Sequence, residues 1–258
     1  MITILSPAKS VNFDEPAPTE SFTTPALLSQ SKQLIRIVRR YKKPELMELM
    51  SISQSLADLN YARYKAFKPP FDLTNAKQAL YAFTGDVYRH MRVKTYDEDT
   101  IGFAQDNLRI LSGLYGYLRP LDLIQAYRLE MKTRVSTNRG TDLYQFWGDR
   151  ITKALNKDLK QDPAAVLINL ASKEYSRAAN FKAIKAPVIS IDFKEVENGK
   201  AKIIAIFAKW ARGMMADYII QNRITDPSTI KDFDLADYRF SKGDSTESNW
   251  VFTRPRPE

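Results

Sequence analysis

Two sets of residues in this 258-residue chain have types and spacings that suit chemistry. The first is the run LSGLYGYLRPLDL, 111–123, which places Gly113 and Gly116 three positions apart among leucines and tyrosines and follows them with Arg119 and Pro120. Preceded by the helical pattern FAQDNLRIL (103–111), and with a second short helix starting at Tyr117, it matches the apolar-x-Gly-apolar-x-Gly signature of a helix-hairpin-helix over about 103–125. Its glycines allow a tight turn and positive φ. They also leave backbone N–H groups uncovered at a helix N-terminus, where a phosphate can approach. Such a grip holds a nucleic-acid backbone without reading bases. Arg119 adds charge beside it, and Pro120, in a first helical turn, costs no hydrogen bond. The same pattern fits a tight helix–helix connection packed in the core, and both readings stand.

The second set lies at strand ends, where ligand groups gather in α/β folds. The strand ITIL (2–5) empties into Ser6, Pro7, Ala8 and Lys9, and VLINL (166–170) into Ala171, Ser172, Lys173 and Glu174. Lys9 is expected to meet Lys209 and Arg212, which share a helix face at i, i+3, together with Arg128 and Glu130 of YRLEM (127–131). The result is a basic cleft holding one carboxylate, suited to phosphate. It also suits attack by a lysine amine, from Lys9 or Lys209 with Glu130 assisting, on a damaged nucleotide through a Schiff base. An exposed Lys9 beside a structural Arg128–Glu130 ion pair fits equally. His90, the single histidine, reads as a surface or packing residue, because metal sites usually need several donors. No metal site and no cofactor are expected.

Composition narrows the chemistry further. With 39 Lys and Arg against 30 Asp and Glu, the net charge is +9 and the isoelectric point near 9.5, so a polyanion is the first partner to consider. The basic runs RIVRRYKK (36–43) and RPRPE (254–258) also fit a solvated face and a frayed tail. The absence of cysteine excludes thiol catalysis, disulfides and cysteine-based zinc or iron–sulfur sites, while carboxylate-bound Mg²⁺ stays open. No apolar run approaches the ~20 residues of a membrane span, and the start, MITILSPAKS, lacks a leader's basic and apolar regions. The chain therefore reads as cytoplasmic, with no membrane partner.

These residues need elements to hold them. Strands are expected at 2–5, 165–172, 186–194 and 202–207, with ENG (197–199) as a hairpin turn between the last two, and NWVFTR (249–254) as a closing strand. Helices are expected from Thr24 and Pro25, through 44–66, from Asn75 to ALYAF, over 103–111, over 142–160 and over 208–223, with residues 10–23 as a surface loop. The fold class is mixed α/β (α+β): a single domain over 1–258 in which helices surround a mixed sheet, with a helical lobe at 24–160.

Seven blocks carry a more specific signal: LSPAKS (5–10), GDVY (85–88), LSGLYGYLRPLDL (111–123), YRLEM (127–131), DLYQFWGD (142–149), INLASKEY (168–175) and FAKWARGMM (207–215). In this order they closely resemble the bacterial peroxide-stress protein YaaA family over essentially the whole chain. SPAKS departs slightly, with serine where a close relative more often has threonine. The resemblance implies a cytosolic protein that limits damage under hydrogen peroxide and is tied to control of intracellular iron. It also implies a single-domain mixed fold of unusual topology, with a helix-hairpin-helix and a basic cleft that binds DNA.

The leading expectation is a DNA-binding protein of the oxidative stress response. It would hold duplex or distorted DNA independently of sequence through Gly113, Gly116 and Arg119, with Lys9, Arg128, Lys209 and Arg212 beside them. The alternatives are a repair-type enzyme, lyase- or glycosylase-like, using Lys9, Glu130 or Lys209, and a small-anion or nucleotide-binding enzyme using the strand-end cleft. No protein partner is indicated.

Overall fold

In a computed structural model, which describes residues 1–257 and so leaves Glu258 at the end of RPRPE outside, ITIL forms β1 (Ile2–Leu5), buried at every position. The first helix, α1 (Leu28–Val38), starts three residues after Pro25, whose carbonyl accepts from Leu28 N at 3.1 Å; Leu34, Ile35 and Val38 form its buried stripe. α2 (Lys43–Met50) and α3 (Gln54–Ala66) follow, the latter opened by Ser53, whose hydroxyl accepts from Leu56 N. The helix expected from Asn75 is only one turn, α4 (Ala79–Ala82), because Lys77 and Gln78 form β2 (Lys77–Gln78) first.

α5 (Glu98–Asn107) is capped by Asp97, which accepts from Thr100 N, and carries Glu98 and Asp99 in its first turn. It stops at Asn107, and the helix-hairpin-helix does not form. LRILS is instead β3 (Leu108–Ser112), which turns through Gly113–Tyr115 into β4 (Gly116–Leu118), antiparallel with Ile110 opposite Leu118 and Ser112 opposite Gly116. Every residue from 108 to 118 is buried, so the run occupies the interior of a sheet; periodicity alone does not separate that from a helix in so short an apolar stretch. β5 (Leu123–Ile124) then pairs with β2 in a small second sheet.

The helix expected over 142–160 is two, α6 (Leu143–Trp147) and α7 (Arg150–Leu159), parted at Gly148, whose φ of +52° ends the first. β6 (Leu167–Asn169), the short α8 (Lys173–Ser176) and β7 (Val188–Glu197) follow. The expected hairpin turn forms at Asn198 (φ 51°) and Gly199 (φ 72°), the pair of positive values a two-residue turn requires. The strand expected at 202–207 does not form. β8 (Lys200–Lys202) ends there, and α9 (Ala205–Gln221) begins early, leaving Ile203 and Ile206 exposed at the junction. β9 (Arg239–Phe240) and β10 (Asn249–Pro255) close the chain.

The main sheet runs β4-β3-β1-β6-β7-β10-β9, with β8 on the part of β7 that β6 leaves free. β3, β1, β6, β7 and β10 are mutually parallel, and β4, β8 and β9 are antiparallel additions. The sheet is therefore mixed, with helices around it, as the sequence implies. From β1 the chain moves to β3 on one side and returns to β6 on the other. That reversal opens a crevice between the carboxyl ends of β1 and β6. No helix among the described residues is long and apolar enough to cross a membrane.

Candidate functional site

At the crevice the two strand ends are tied together. Ser6 donates to Ser172 Oγ at 3.2 Å and accepts from Ser172 N at 2.9 Å, while Tyr88 OH donates to Ser6 O at 2.9 Å. Lys9, three residues beyond Ser6, reaches Glu130, with Nζ 2.9 Å from Oε1. Glu130 also meets Arg128 Nη2 at 3.2 Å and Lys132 Nζ at 3.5 Å, so three cations share one carboxylate. Lys9 and Lys132 are mostly exposed, whereas the Glu130 side chain is only 11% exposed. The group lines an open cavity of about 640 Å³, whose lining also includes Glu45 and Glu48 of α2. Glu45 is turned onto its own helix, accepting from Lys42 N at 2.5 Å.

Burial pushes the Glu130 carboxyl up, but Lys9, Lys132 and Arg128 together outweigh it and hold the group below its ordinary value of 4.5. A carboxylate lowered on folding stabilises the fold above its unfolded value, and that contribution is lost as pH falls through the folded value. The stability difference between the wild type and Glu130→Gln is therefore expected to be larger at pH 7 than at pH 3, read from urea midpoints. Equal differences at both pH values would show that the network does not stabilise the fold electrostatically.

What places Arg128 and Glu130 is the β3–β4 turn. A Cβ on Gly113 would lie 2.1 Å from Leu129 O and 3.1 Å from the Glu130 carbonyl carbon, so only glycine lets this segment lie against the turn. Gly113 O accepts from Trp147 Nε1 at 3.0 Å, and Ser112 Oγ bonds Tyr127 OH at 2.6 Å. Gly116, at φ +71°, has the Trp147 ring 2.6 Å from where a Cβ would stand. Both glycines are buried, so they offer no open backbone N–H to a phosphate. They seat the segment that carries Arg128 and Glu130.

Arg119 is also structural. Its Nη2 lies 3.1 Å from Oδ1 of Asp122, which is fully buried and accepts as well from Arg119 N and Thr23 Oγ1. Arg119→Ala is expected to cost about 1–3 kcal/mol by leaving that carboxylate short of a partner, as denaturant titration would show.

The expected cluster splits at the last helix. Lys209 pairs with Asp86 of GDVY at 3.1 Å, not with Glu130, and Arg212 is half-buried, with Asp192 as its charged neighbour and Nε without a hydrogen-bond partner among the described residues. Burial pushes the Arg212 guanidinium below its ordinary value. His90 packs, stacked on Trp210 with ring centroids 5.0 Å apart. Lys132 is the member that the sequence reading missed. It sits in the turn that follows Glu130, closed by Thr133 N donating to Glu130 O at 3.0 Å, and no strand or helix periodicity marks it in the sequence.

The geometry can be set beside known proteins. The peroxide stress protein YaaA family matches residues 1–244. A UPF0246 protein of Colwellia psychrerythraea is 48% identical over 254 residues, covering 98% of this chain and 99% of that protein. A UPF0246 protein of Acaryochloris marina is 50% identical, covering 98% and 100%, and one of Ralstonia pickettii is 49% identical, covering 98% and 99%. Matched along nearly its whole length, the chain belongs to the peroxide stress protein YaaA family.

Proposed function

We propose that this protein serves the cytoplasmic response to hydrogen peroxide by binding DNA through the basic side of the strand-end cleft, gripping phosphates independently of sequence. The observation that carries the reading is the surplus of donors: Lys9, Arg128 and Lys132 converge on a single carboxylate, and the Lys9 and Lys132 side chains stay largely exposed. Phosphate oxygens supply the missing acceptors, and the chain's net charge of +9 favours encounter with a polyanion. In this reading the turn at Gly113 and Gly116 is the seat of the cleft. A lowering of free iron is an indirect consequence of protection, since a chain with no cysteine and one histidine has few soft ligands to hold iron itself.

The test is binding to duplexes of unrelated sequence across a salt series. Similar affinities that fall linearly on log–log axes support the reading. Affinity indifferent to salt, or inorganic phosphate displacing DNA at equal concentration, would overturn it in favour of a small-anion site. Borohydride trapping on an abasic duplex is the companion measurement, because the Lys9 amine lies 2.9 Å and the Lys132 amine 3.5 Å from the Glu130 carboxylate in the cleft. A covalent product at Lys9 would move the function to the lyase class.

A further inference from the structure

A second cavity, of about 810 Å³, opens between the loop at 12–18 and the turns at 84–95. At its lining lies Lys77 of β2, 8% exposed. An ammonium carries three donors. Lys77 Nζ bonds Asn12 O at 3.0 Å, and among the described residues it makes no ion pair within 4 Å. A buried charge without a counterion is costly and is found where a ligand or a structural partner offsets it. Burial pushes its amine below the ordinary lysine value, against the pull of Glu15 and Asp14.

The surroundings favour a ligand. Arg89 lines the same cavity, exposed and with no acidic partner among the described residues. Lys94 stands there too, paired with Glu15 at 2.7 Å, and so does Arg92, whose Nε is committed to the buried Asp217 at 2.8 Å. Tyr81, Phe83, Tyr88 and Met91 add buried apolar and aromatic side chains to the lining, where Glu15, paired with Lys94, is the acid. An excess of cations together with aromatic residues matches a molecule with an anionic group and a planar body.

We propose that this pocket binds a small planar anion of the nucleoside monophosphate kind, its acidic group against Lys77 and Arg89 and its ring along Tyr81 and Phe83. The site is separate from the Lys9–Glu130 cleft and does not depend on the DNA reading. The loop that leaves β1 serves both, with Lys9 at one and Asn12 at the other.

Pyridoxal 5′-phosphate is the probe, because it combines a planar ring, a phosphate and an aldehyde that reports the nearest amine. The amine of Lys77 adds to the aldehyde carbon, water leaves, and a C=N bond forms. Borohydride then delivers hydride to that carbon, and water supplies the proton to nitrogen, fixing a secondary amine. Peptide mapping after limiting reagent is expected to find Lys77 labelled at least ten times more than the mean of the exposed lysines. Adenosine monophosphate should protect it, and pyridoxal, without the phosphate, should label it several-fold less. Arg89→Ala, at an exposed residue, should keep the wild-type melting temperature and weaken labelling about three- to fivefold. Labelling spread over lysines in proportion to exposure, or equal labelling by pyridoxal, would show that Lys77 only tethers Asn12 and would end the proposal.

Discussion

Gly113→Ala is expected to destabilise the protein by about 3 kcal/mol or more, the upper end of what overpacking a rigid core costs. The added methyl would stand 2.1 Å from Leu129 O, a backbone atom that cannot swing aside as the end of a side chain can. Gly116→Ala adds conformational strain to overlap: φ is +71° and the obstacle is the ring of the fully buried Trp147, so about 2–5 kcal/mol is expected. For a chain of this length either variant should lower the melting temperature by on the order of 10 °C. Gly102→Ala is the control with the opposite sign. It lies exposed in α5 with nothing within 4 Å of its Cβ position, and alanine there should stabilise by about 0.5–1 kcal/mol. Measured by thermal and denaturant unfolding, equal and small effects at all three glycines would refute the tight seat beneath residues 128–130.

The consequence reaches function, because Gly113 supports Leu129 and Glu130. A milder insult than unfolding would shift the segment that carries Arg128 and Glu130 and loosen the ion pairs at 3.2 Å and 2.9 Å. If the cleft holds DNA as proposed, binding lost by Gly113→Ala is a loss of cleft geometry, and it should appear with the loss of stability, not apart from it.

The sequence made the parallel strands other than β3 legible because each is a short β-branched run bounded by a turn residue or a change of polarity: ITIL before Ser6-Pro7, VISIDF after Pro187, and WVFT before Arg254-Pro255. It did not make the β3–β4 hairpin legible. A run that is buried on both faces shows no alternation, so LRILSGLYGYL carries apolar residues at helical and strand spacings alike, and its glycines suit either turn. The end of β8 was hidden for the same reason, since KIIAIF has the composition of a strand while its last three residues belong to α9.

Half of the site was readable. Lys9 follows a strand end, and Arg128 and Glu130 share a side of an extended segment, so their meeting needed only the crevice. For Lys209 and Arg212 the i, i+3 spacing says that they share a helix face, but not what that face meets. The answer, Asp86 for one and the vicinity of Asp192 for the other, is tertiary information. The glycines show the converse case: their unusual spacing marked a place that matters, while the reason, a backbone pressed on Gly113 and an indole on Gly116, lay 16 and more residues away in sequence.

Lys9→Ala combined with Lys132→Ala is expected to weaken DNA binding on the order of 60-fold at 0.1 M salt. Each neutralised phosphate contributes about 0.9 to the slope of log K against log salt, hence about 0.9 decade at 0.1 M relative to 1 M. Removing two phosphate-holding cations should therefore make the slope shallower by about 1.8 and leave binding as indifferent to sequence as before. Both side chains are largely exposed, at 59% and 66%, so their removal should move the melting temperature little, while Arg128 remains to balance Glu130. The comparison that gives the result meaning is Lys200→Ala with Lys202→Ala, which removes the same charge from the exposed β8 hairpin. If the grip is local, that pair should lose only the few-fold that a reduced long-range field costs. If both double variants lose affinity and slope alike, DNA senses the protein's net charge and the strand-end cleft is not where it is held.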